Sequence, residues 1–216
     1  MEKLVSVEKA RVPFSTSWKH GSPSLLVEQF EVSSNETVFV VGKSGQGKTT
    51  LLRAILSLHP ITEGVINISQ KATKRGLMAQ QPQLIPWRSV RGNLELPSEI
   101  NQALERPSDI SQRLERLGIG GCEEKLPHEL SVGMRARVTF LQVLYSMPTL
   151  ICLDEPSASL DDRSTALLMQ ELSNYLAATG SAAIISSHDR ELVKNWTVRT
   201  YGVVGDGIQN HLEMIL

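Results

Sequence analysis

The sequence predicts an α/β fold with a mostly parallel sheet, and three observations support this prediction. Apolar, strand-like runs alternate with helical segments, which is the order that packs helices against a parallel sheet. The apolar run at residues 38–41 leads through a glycine-rich loop into a helical segment, and the run at residues 150–155 ends in two carboxylates. Ligands gather at the carboxyl ends of the strands in such sheets. We therefore expect the functional residues at that edge.

The glycine-rich loop reads GKSGQGKT at residues 42–49 and matches the phosphate-binding template GxxxxGK[ST] at every fixed position. Glycines allow a tight turn whose backbone N–H groups point at phosphate oxygens, and the following helix adds the partial positive charge of its N-terminus. The template lysine reaches the outer phosphates, and the last hydroxyl ligates Mg²⁺. A glycine turn that only joins a strand to a helix is the alternative. The predicted nucleotide-binding residues are Gly42, Lys43, Ser44, Gly45, Gln46, Gly47, Lys48, Thr49 and Thr50.

The two carboxylates that end the strand at residues 150–155 predict the second half of a nucleotide-hydrolysing site. An acidic residue at a strand end holds Mg²⁺ in phosphate-loop enzymes, and a neighbouring carboxylate can take a proton from water. Asp154 suits the metal, together with Thr49, and Glu155 suits the general base. An acidic strand end that only faces solvent is the alternative, and the complete phosphate loop makes it the weaker one.

Composition indicates an ordinary globular chain of 216 residues and 23.8 kDa. Hydrophobic residues make up 41% and charged residues 21%, and the formal net charge of −1 provides no overall basic field for nucleic acid. The first residues lack the apolar core of a signal peptide, and no apolar run approaches the ~20 residues that span a bilayer. We therefore expect a cytoplasmic protein that does not bind nucleic acid.

The remaining elements follow from periodicity and turn residues. The predicted strands are residues 4–14, 25–32, 38–41, 64–68, 76–79, 150–155 and 182–186, of which the first belong to an N-terminal antiparallel portion. The predicted helices are residues 50–58, the segment after Ser131, which can act as its N-cap, and residues 164–178. Irregularly spaced leucines, interrupted by Pro97, Pro107 and two glycines, predict an inserted helical lobe from residue 90 onward.

With these motifs in order, the sequence resembles the ATP-binding subunit of an ATP-binding cassette (ABC) transporter over essentially its whole length. The supporting segments are GKSGQGKTT (Walker A), Gln80 in AQQPQLIPW (Q-loop), LSVGM at residues 130–134 (signature), LICLDEP (Walker B), ASLD at residues 158–161 (D-loop) and His188 (switch histidine). The segments around them are most similar to importer ATPases for nitrate, taurine and alkyl sulfonates. The resemblance implies one ABC ATPase domain over residues 1–216. Its P-loop NTPase (RecA-like) core covers about 1–85 and 148–216, and its helical lobe covers about 86–147.

The resemblance also implies the cofactors ATP and Mg²⁺ and the roles of several residues at the nucleotide. Gln80 would sense Mg²⁺ and the attacking water, and His188 would contact the γ-phosphate beside the base Glu155. Trp18 would stack on adenine, with Phe14 as the second candidate, although either aromatic could instead belong to the core.

Two ATPase subunits, identical or different, would act together by the same resemblance. Ser131 and Gly133 of one subunit would bind the γ-phosphate of an ATP held by the other, and Asp161 would cross the interface. Val132 departs from the family pattern, which has glycine there. A β-branched residue resists positive φ and adds bulk, so we expect it to slow hydrolysis.

The other implied partners are a transmembrane permease subunit and, in an importer, a solute-binding protein, which would place the chain on the inner face of the cell membrane. Leu84, Ile85 and Trp87 form a proline-bounded apolar loop that we expect to dock to the permease. Two other functions stay open: a cytosolic ABC ATPase of translation or DNA repair, and a weakly hydrolysing nucleotide-binding partner in a heteromeric transporter.

Overall fold

The computed structural model describes residues 2–17, 19, 22–188, 198–206 and 208–215. Within these ranges nine strands form one sheet: β1 (Lys3–Pro13), β2 (Ser24–Ser33), β3 (Thr37–Val41), β4 (Glu63–Ile68), β5 (Arg75–Met78), β6 (Leu150–Asp154), β7 (Ala182–Ser187), β8 (Thr200–Gly205) and β9 (Gln209–Met214). The described α-helices are α1 (Lys48–Ile55), α2 (Val90–Ile100), α3 (Ile110–Arg116), α4 (Val132–Tyr145) and α5 (Asp162–Thr179). None of the described helices has the length and apolar character of a membrane span.

The sheet has the strand order β4-β1-β2-β9-β8-β3-β7-β6-β5. β3 pairs in parallel with β7 and β8, and β6 lies in parallel between β7 and β5. β1 runs antiparallel to both β2 and β4, and β8 runs antiparallel to β9. The predicted parallel core and N-terminal antiparallel portion are therefore confirmed. Because β3, β6 and β7 are parallel neighbours, their carboxyl ends meet at one edge of the sheet.

The central strands are buried on both faces, which explains why they read as continuous apolar runs. Val38 and Val40 of β3 pack into a core with α1 and the antiparallel strands, whereas Phe39 and Val41 pack into a second core with α2 to α5. The alternation places successive residues on opposite faces of the sheet. The phosphate-loop strand is thus held between two apolar cores, and this anchors the loop that follows it.

Helices α2, α3 and α4 lie between β5 and β6 in the chain, where the inserted lobe was predicted. Leu94, Leu114 and Leu141 are fully buried, and they belong to the same core as one face of the sheet. Ile100, at the end of α2, is by contrast 77% exposed. The division into a RecA-like core and a helical lobe at residues 86 and 147 stays a prediction.

Helix α2 continues through Pro97, which the sequence suggested as an interruption. A proline has no N–H to donate to the carbonyl four residues earlier, here that of Asn93. Gln142 of α4 supplies the missing donor, because its Nε2 donates to the Asn93 carbonyl oxygen at 3.0 Å. The bond compensates for the proline and ties α2 to α4.

Two local features lie near the phosphate loop. The turn before β3 has Asn35 at φ 60°, in the left-handed region that asparagine adopts more readily than most non-glycine residues. The helix after the loop begins at Lys48, where the phosphate-binding template needs a helix N-terminus, and ends at Ile55 rather than at residue 58. Ser57, at φ 60°, turns the chain out of the helix.

Candidate active site

The phosphate-binding loop connects β3 to α1 in the conformation that the template requires. Gly45 and Gly47 have φ values of 80° and 98°, in the left-handed region that favours glycine. Gly47 is also the N-cap of α1 and has no side chain to cap the first turn. The helix therefore presents its N-terminal N–H groups and its partial positive charge to the loop, as an anion site requires.

The Gln46 side chain braces the phosphate loop. The Gln46 Oε1 accepts a 2.7 Å hydrogen bond from the Lys43 backbone N–H, and its Nε2 donates to the Gly205 carbonyl at 3.4 Å. Asn210 of β9 donates from Nδ2 to the Gln46 carbonyl at 3.1 Å. The loop is thereby tied to the β8–β9 end of the sheet.

Lys48 lies under the loop with only 4% of its surface exposed. Its Nζ donates to the carbonyl oxygens of Gly42 at 2.8 Å and Lys43 at 3.1 Å. The same ammonium lies 3.3 Å from Glu155 Oε1, so the template lysine also pairs with the predicted base. A buried ammonium needs such hydrogen-bonding and charged partners. Phosphate oxygens would be stronger partners for Lys48 than these carbonyl oxygens.

Thr49 and Asp154 meet where the template places a metal ion. The Thr49 Oγ1 donates to Asp154 Oδ2 at 2.8 Å, although the two residues are 105 positions apart. A hydroxyl and a carboxylate are the hard oxygen donors that Mg²⁺ prefers, and Mg²⁺ commonly uses one or two protein ligands with substrate phosphates completing its shell. The residues present therefore fit Mg²⁺. Gln80, the other predicted metal contact, bonds to Glu155 rather than to this pair.

Two of the three predicted catalytic residues, Gln80 and His188, converge on the carboxylate of the third, Glu155. Gln80 Nε2 donates to Glu155 Oε2 at 3.3 Å, and His188 Nδ1 lies 3.0 Å from the same oxygen. Glu155 is 12% exposed, whereas the His188 side chain is 58% exposed. Polar contacts from three directions, including Lys48, fix the carboxylate beside the phosphate loop. Such an arrangement can hold a water molecule and accept its proton.

The predicted adenine platform is only partly within the described residues. Trp18, the favoured aromatic, lies outside them. Phe14 is half-buried at the end of β1 and packs against the phosphate loop. A Cβ on Gly47 would come within 2.5 Å of the Phe14 ring. The ring thus lies directly beside the loop, and glycine at residue 47 is required for space as well as for its φ.

The signature segment forms the start of α4. Ser131 is the N-cap, as predicted, and its Oγ accepts a 3.2 Å hydrogen bond from the Met134 N–H. Val132 is the first helical residue, is 52% exposed, and is not among the described non-glycine residues with positive φ. The expectation that valine resists the backbone conformation here is therefore wrong, because the first turn of a helix uses φ values that valine adopts. Only its bulk remains as a difference from glycine.

Gly133 and Asp161 belong to this second surface, where α4 meets the segment before α5. A Cβ on Gly133 would lie 2.9 Å from the Ser159 carbonyl oxygen, so glycine allows α4 and the D-loop to approach closely. Asp161 is the N-cap of α5, with Oδ1 accepting from the Ser164 N–H at 2.7 Å. This bond holds the pKa of the Asp161 carboxyl below its usual range. Ser131, Gly133 and Asp161 do not line the described pocket at Lys48. Their predicted contacts with an ATP held by a second subunit stay a prediction.

Comparison with known proteins identifies the family. The ABC transporter family matches residues 27–158. The formylaminopyrimidine import ATP-binding protein ThiZ of Halalkalibacterium halodurans is 33% identical over 193 residues, which cover 88% of this chain and 76% of ThiZ. The chain belongs to the ABC transporter family. The taurine import ATP-binding protein TauB of Yersinia pestis is also similar, at 32% identity over 178 residues that cover 79% of this chain and 70% of TauB.

Solved structures agree with this ABC fold. The ATP-binding cassette MJ0796, in a dimeric post-hydrolysis state with ADP and Pi, has a TM-score of 0.77 and 21% identity, and the match covers 99% of both chains. RNase-L Inhibitor has a TM-score of 0.80 and 24% identity over 98% of this chain and 39% of that protein. At these identities the likeness shows the fold alone.

As an ABC transporter ATPase, the chain hydrolyses ATP with Mg²⁺ as cofactor and powers transport across a membrane. It acts with a transmembrane subunit. Sequence reasoning missed two residues of this site, because neither belongs to a motif. Asn210 contacts the phosphate loop, and the buried Ser186 contacts Asp154. Pairing between strands brings each of them to the site.

Proposed function

We propose that this chain is the ATPase subunit of an importer and that its phosphate-loop edge carries the chemistry. The convergence of Gln80 and His188 on Glu155, beside the Thr49–Asp154 pair, is the observation that supports these roles most directly. The importer assignment rests on relatives such as ThiZ and TauB, whose names state import. Their different solutes give no reason to choose one for this chain.

In this proposal, the residues at the loop divide the work of hydrolysis. When bound, Mg²⁺ supplies charge neutralisation at the outer phosphate oxygens. Thr49 and Asp154 would hold the ion, and Lys48 would exchange Glu155 for phosphate oxygens. Glu155 then takes a proton from the attacking water, while Gln80 and His188 keep its carboxylate oriented. The loop N–H groups and the α1 N-terminus bind the remaining phosphate charge.

Two exposed surfaces would contact the proposed partners, a second ATPase subunit and the permease. The start of α4, with the exposed Ser131 and Val132, would contact the ATP of a second, identical subunit. Trp87 is 78% exposed and would dock to the permease on the cytoplasmic side of the membrane. Leu84 does not share this role, because it packs against the core, and the Ile85 backbone is held by Asn93 at 2.7 Å. A solute-binding protein would complete the importer.

A weakly hydrolysing partner in a heteromeric transporter is the second candidate, and the exposed Val132 favours it. Purifying the chain with its membrane subunit, in parent and Glu155→Gln forms, tests the main proposal. We expect both forms to co-purify with the permease, and only the parent to hydrolyse ATP and drive solute uptake into vesicles. A parent complex that binds ATP without hydrolysing it would support the second candidate. Failure to associate with any membrane subunit would contradict the importer.

A further inference from the structure

Ser186 occupies a buried position between the strands that carry the site. It is the second-last residue of β7, it is 0% exposed, and it pairs in register with Asp154 of β6 on one side and Val40 of β3 on the other. No motif singled it out. Its side chain nevertheless lies at the strand edge where the phosphate loop and the acidic strand end meet.

The face of β7 that Ser186 occupies is otherwise apolar. Ile184 and Ala182, two and four residues earlier, pack in the core that α1 covers. Burying a hydroxyl at this position costs free energy unless it forms hydrogen bonds. The Ser186 Oγ donates to Asp154 Oδ1 at 2.6 Å and accepts from the Glu155 N–H at 3.1 Å. One hydroxyl therefore connects both acidic residues.

The first of these bonds orients Asp154. Its two carboxylate oxygens accept from different hydroxyls: Oδ1 from Ser186 and Oδ2 from Thr49. Asp154 is 3% exposed, so water contributes little to its solvation. Ser186 thus fixes the oxygen opposite the one that faces Thr49, and this sets the direction in which Oδ2 points.

The second bond supports the backbone at Glu155. This residue has φ 50°, a left-handed conformation that is unfavourable for a non-glycine residue. Its N–H donates to both the Ser186 Oγ, at 3.1 Å, and the Ser186 carbonyl oxygen, at 3.2 Å. The turn that aims the Glu155 side chain toward Gln80 and His188 is therefore held at Ser186.

We propose that Ser186 is a positioning residue that orients Asp154 toward Mg²⁺ and Glu155 toward the attacking water. The inference rests on the proposed roles of Asp154 and Glu155 and adds a residue that acts through both. Removing its hydroxyl takes away a hydrogen bond to a charged group and leaves both acidic residues less well fixed.

The test measures how Mg²⁺ strengthens binding of a fluorescent ATP analogue to the full chain, with parent, Ser186→Ala and Ser181→Ala. Ser181 is the matched control, because it is a serine just before β7 that is 1% exposed and donates to the Pro148 carbonyl at 2.9 Å. For Ser186→Ala we expect the half-saturating Mg²⁺ concentration to rise about tenfold and the rate of hydrolysis to fall, with affinity in EDTA unchanged. Ser181→Ala should resemble the parent in both respects.

Parent-like Mg²⁺ dependence in Ser186→Ala, or an equal shift in Ser181→Ala, would overturn the inference. Ser186→Thr retains the hydroxyl and should restore most of the Mg²⁺ response, and it also decides the matter if the alanine variant does not fold. A folded Ser186→Thr that needs as much Mg²⁺ as Asp154→Asn would overturn the inference. Asp154→Asn distinguishes failure of the proposed metal site from failure of the Ser186 inference. If Asp154→Asn leaves the half-saturating Mg²⁺ concentration unchanged, the proposed metal site is wrong and the inference about Ser186 is overturned with it. If Asp154→Asn raises that concentration and Ser186→Ala does not, the metal site is supported and only the role of Ser186 is overturned.

Discussion

Lys48 Nζ lies 3.3 Å from Glu155 Oε1, so the lysine that should bind phosphate is paired with the carboxylate that should act as base. Both side chains are largely buried, at 4% and 12% exposure. Phosphate oxygens would compete with Glu155 for Lys48, so we expect binding of ATP to separate the pair. The side-chain contacts of Glu155 with Gln80 and His188 would then remain. In the proposed function, the ion pair would thereby couple nucleotide binding to release of the base.

Lys48→Ala should lower ATP affinity by about 10- to 100-fold, because a buried charge-assisted contact is lost. It should also lower the thermal unfolding temperature, since Glu155 loses its charged partner. Titration with a fluorescent ATP analogue, together with thermal unfolding, measures both effects. Lys43→Ala is the control, because Lys43 is exposed in the same loop and contributes its backbone. Equal affinity of the two variants would contradict the role of Lys48.

Trp87→Ala should weaken co-purification with the permease while ATP affinity stays at the parent value. The reason is that Trp87 exposes 78% of its surface, and large exposed aromatics dominate many interfaces. Met214→Ala is the control, because Met214 is 66% exposed on β9, at the antiparallel part of the sheet. If Trp87→Ala and Met214→Ala retain the permease equally, the docking surface lies elsewhere.

Val132→Ala should raise hydrolysis by the assembled transporter a few-fold. The structure removes the backbone argument against valine, so only side-chain bulk at the start of α4 remains. Alanine removes that bulk and keeps good helix propensity, whereas Val132→Gly also adds the helix cost of glycine. The steady-state ATPase rate of the two variants beside the parent measures this. No rise in either variant would mean that valine fits the interface.

Gly133→Ala should weaken ATP-driven pairing of subunits, by about tenfold, without changing ATP affinity of the single subunit. The new Cβ would lie 2.9 Å from the Ser159 carbonyl oxygen, so the start of α4 must move relative to the D-loop. Gly92→Ala in α2 is the control, because its nearest neighbour would be at 3.5 Å. Light scattering with ATP compares the variants, and equal pairing would contradict a close-packing role for Gly133.

The sequence predicted what short-range spacing encodes and missed what strand pairing brings together. The phosphate loop was predictable because its glycines and Lys48 act within eight consecutive residues. Ser186 was not, because its link to Asp154 depends on the register of β6 with β7. From the sequence, Leu84 and Trp87 were both predicted to belong to an apolar docking loop. Of the two, only Trp87 is exposed, because tertiary packing decides which apolar loop residue faces the core. The error at Val132 was avoidable from the sequence, because the predicted N-cap at Ser131 makes Val132 the first helical residue, and helical residues have negative φ.

In the proposed function, Glu155 is the base of an ATPase that closes on Mg²⁺-ATP. Single-turnover hydrolysis of bound Mg²⁺-ATP by Glu155→Gln, compared with the parent, tests this role most directly. We expect parent-like affinity, a stable ATP-bound dimer by light scattering, and hydrolysis slowed by roughly 10²- to 10⁴-fold, because glutamine cannot accept the proton. Hydrolysis by Glu155→Gln at the parent rate would contradict it.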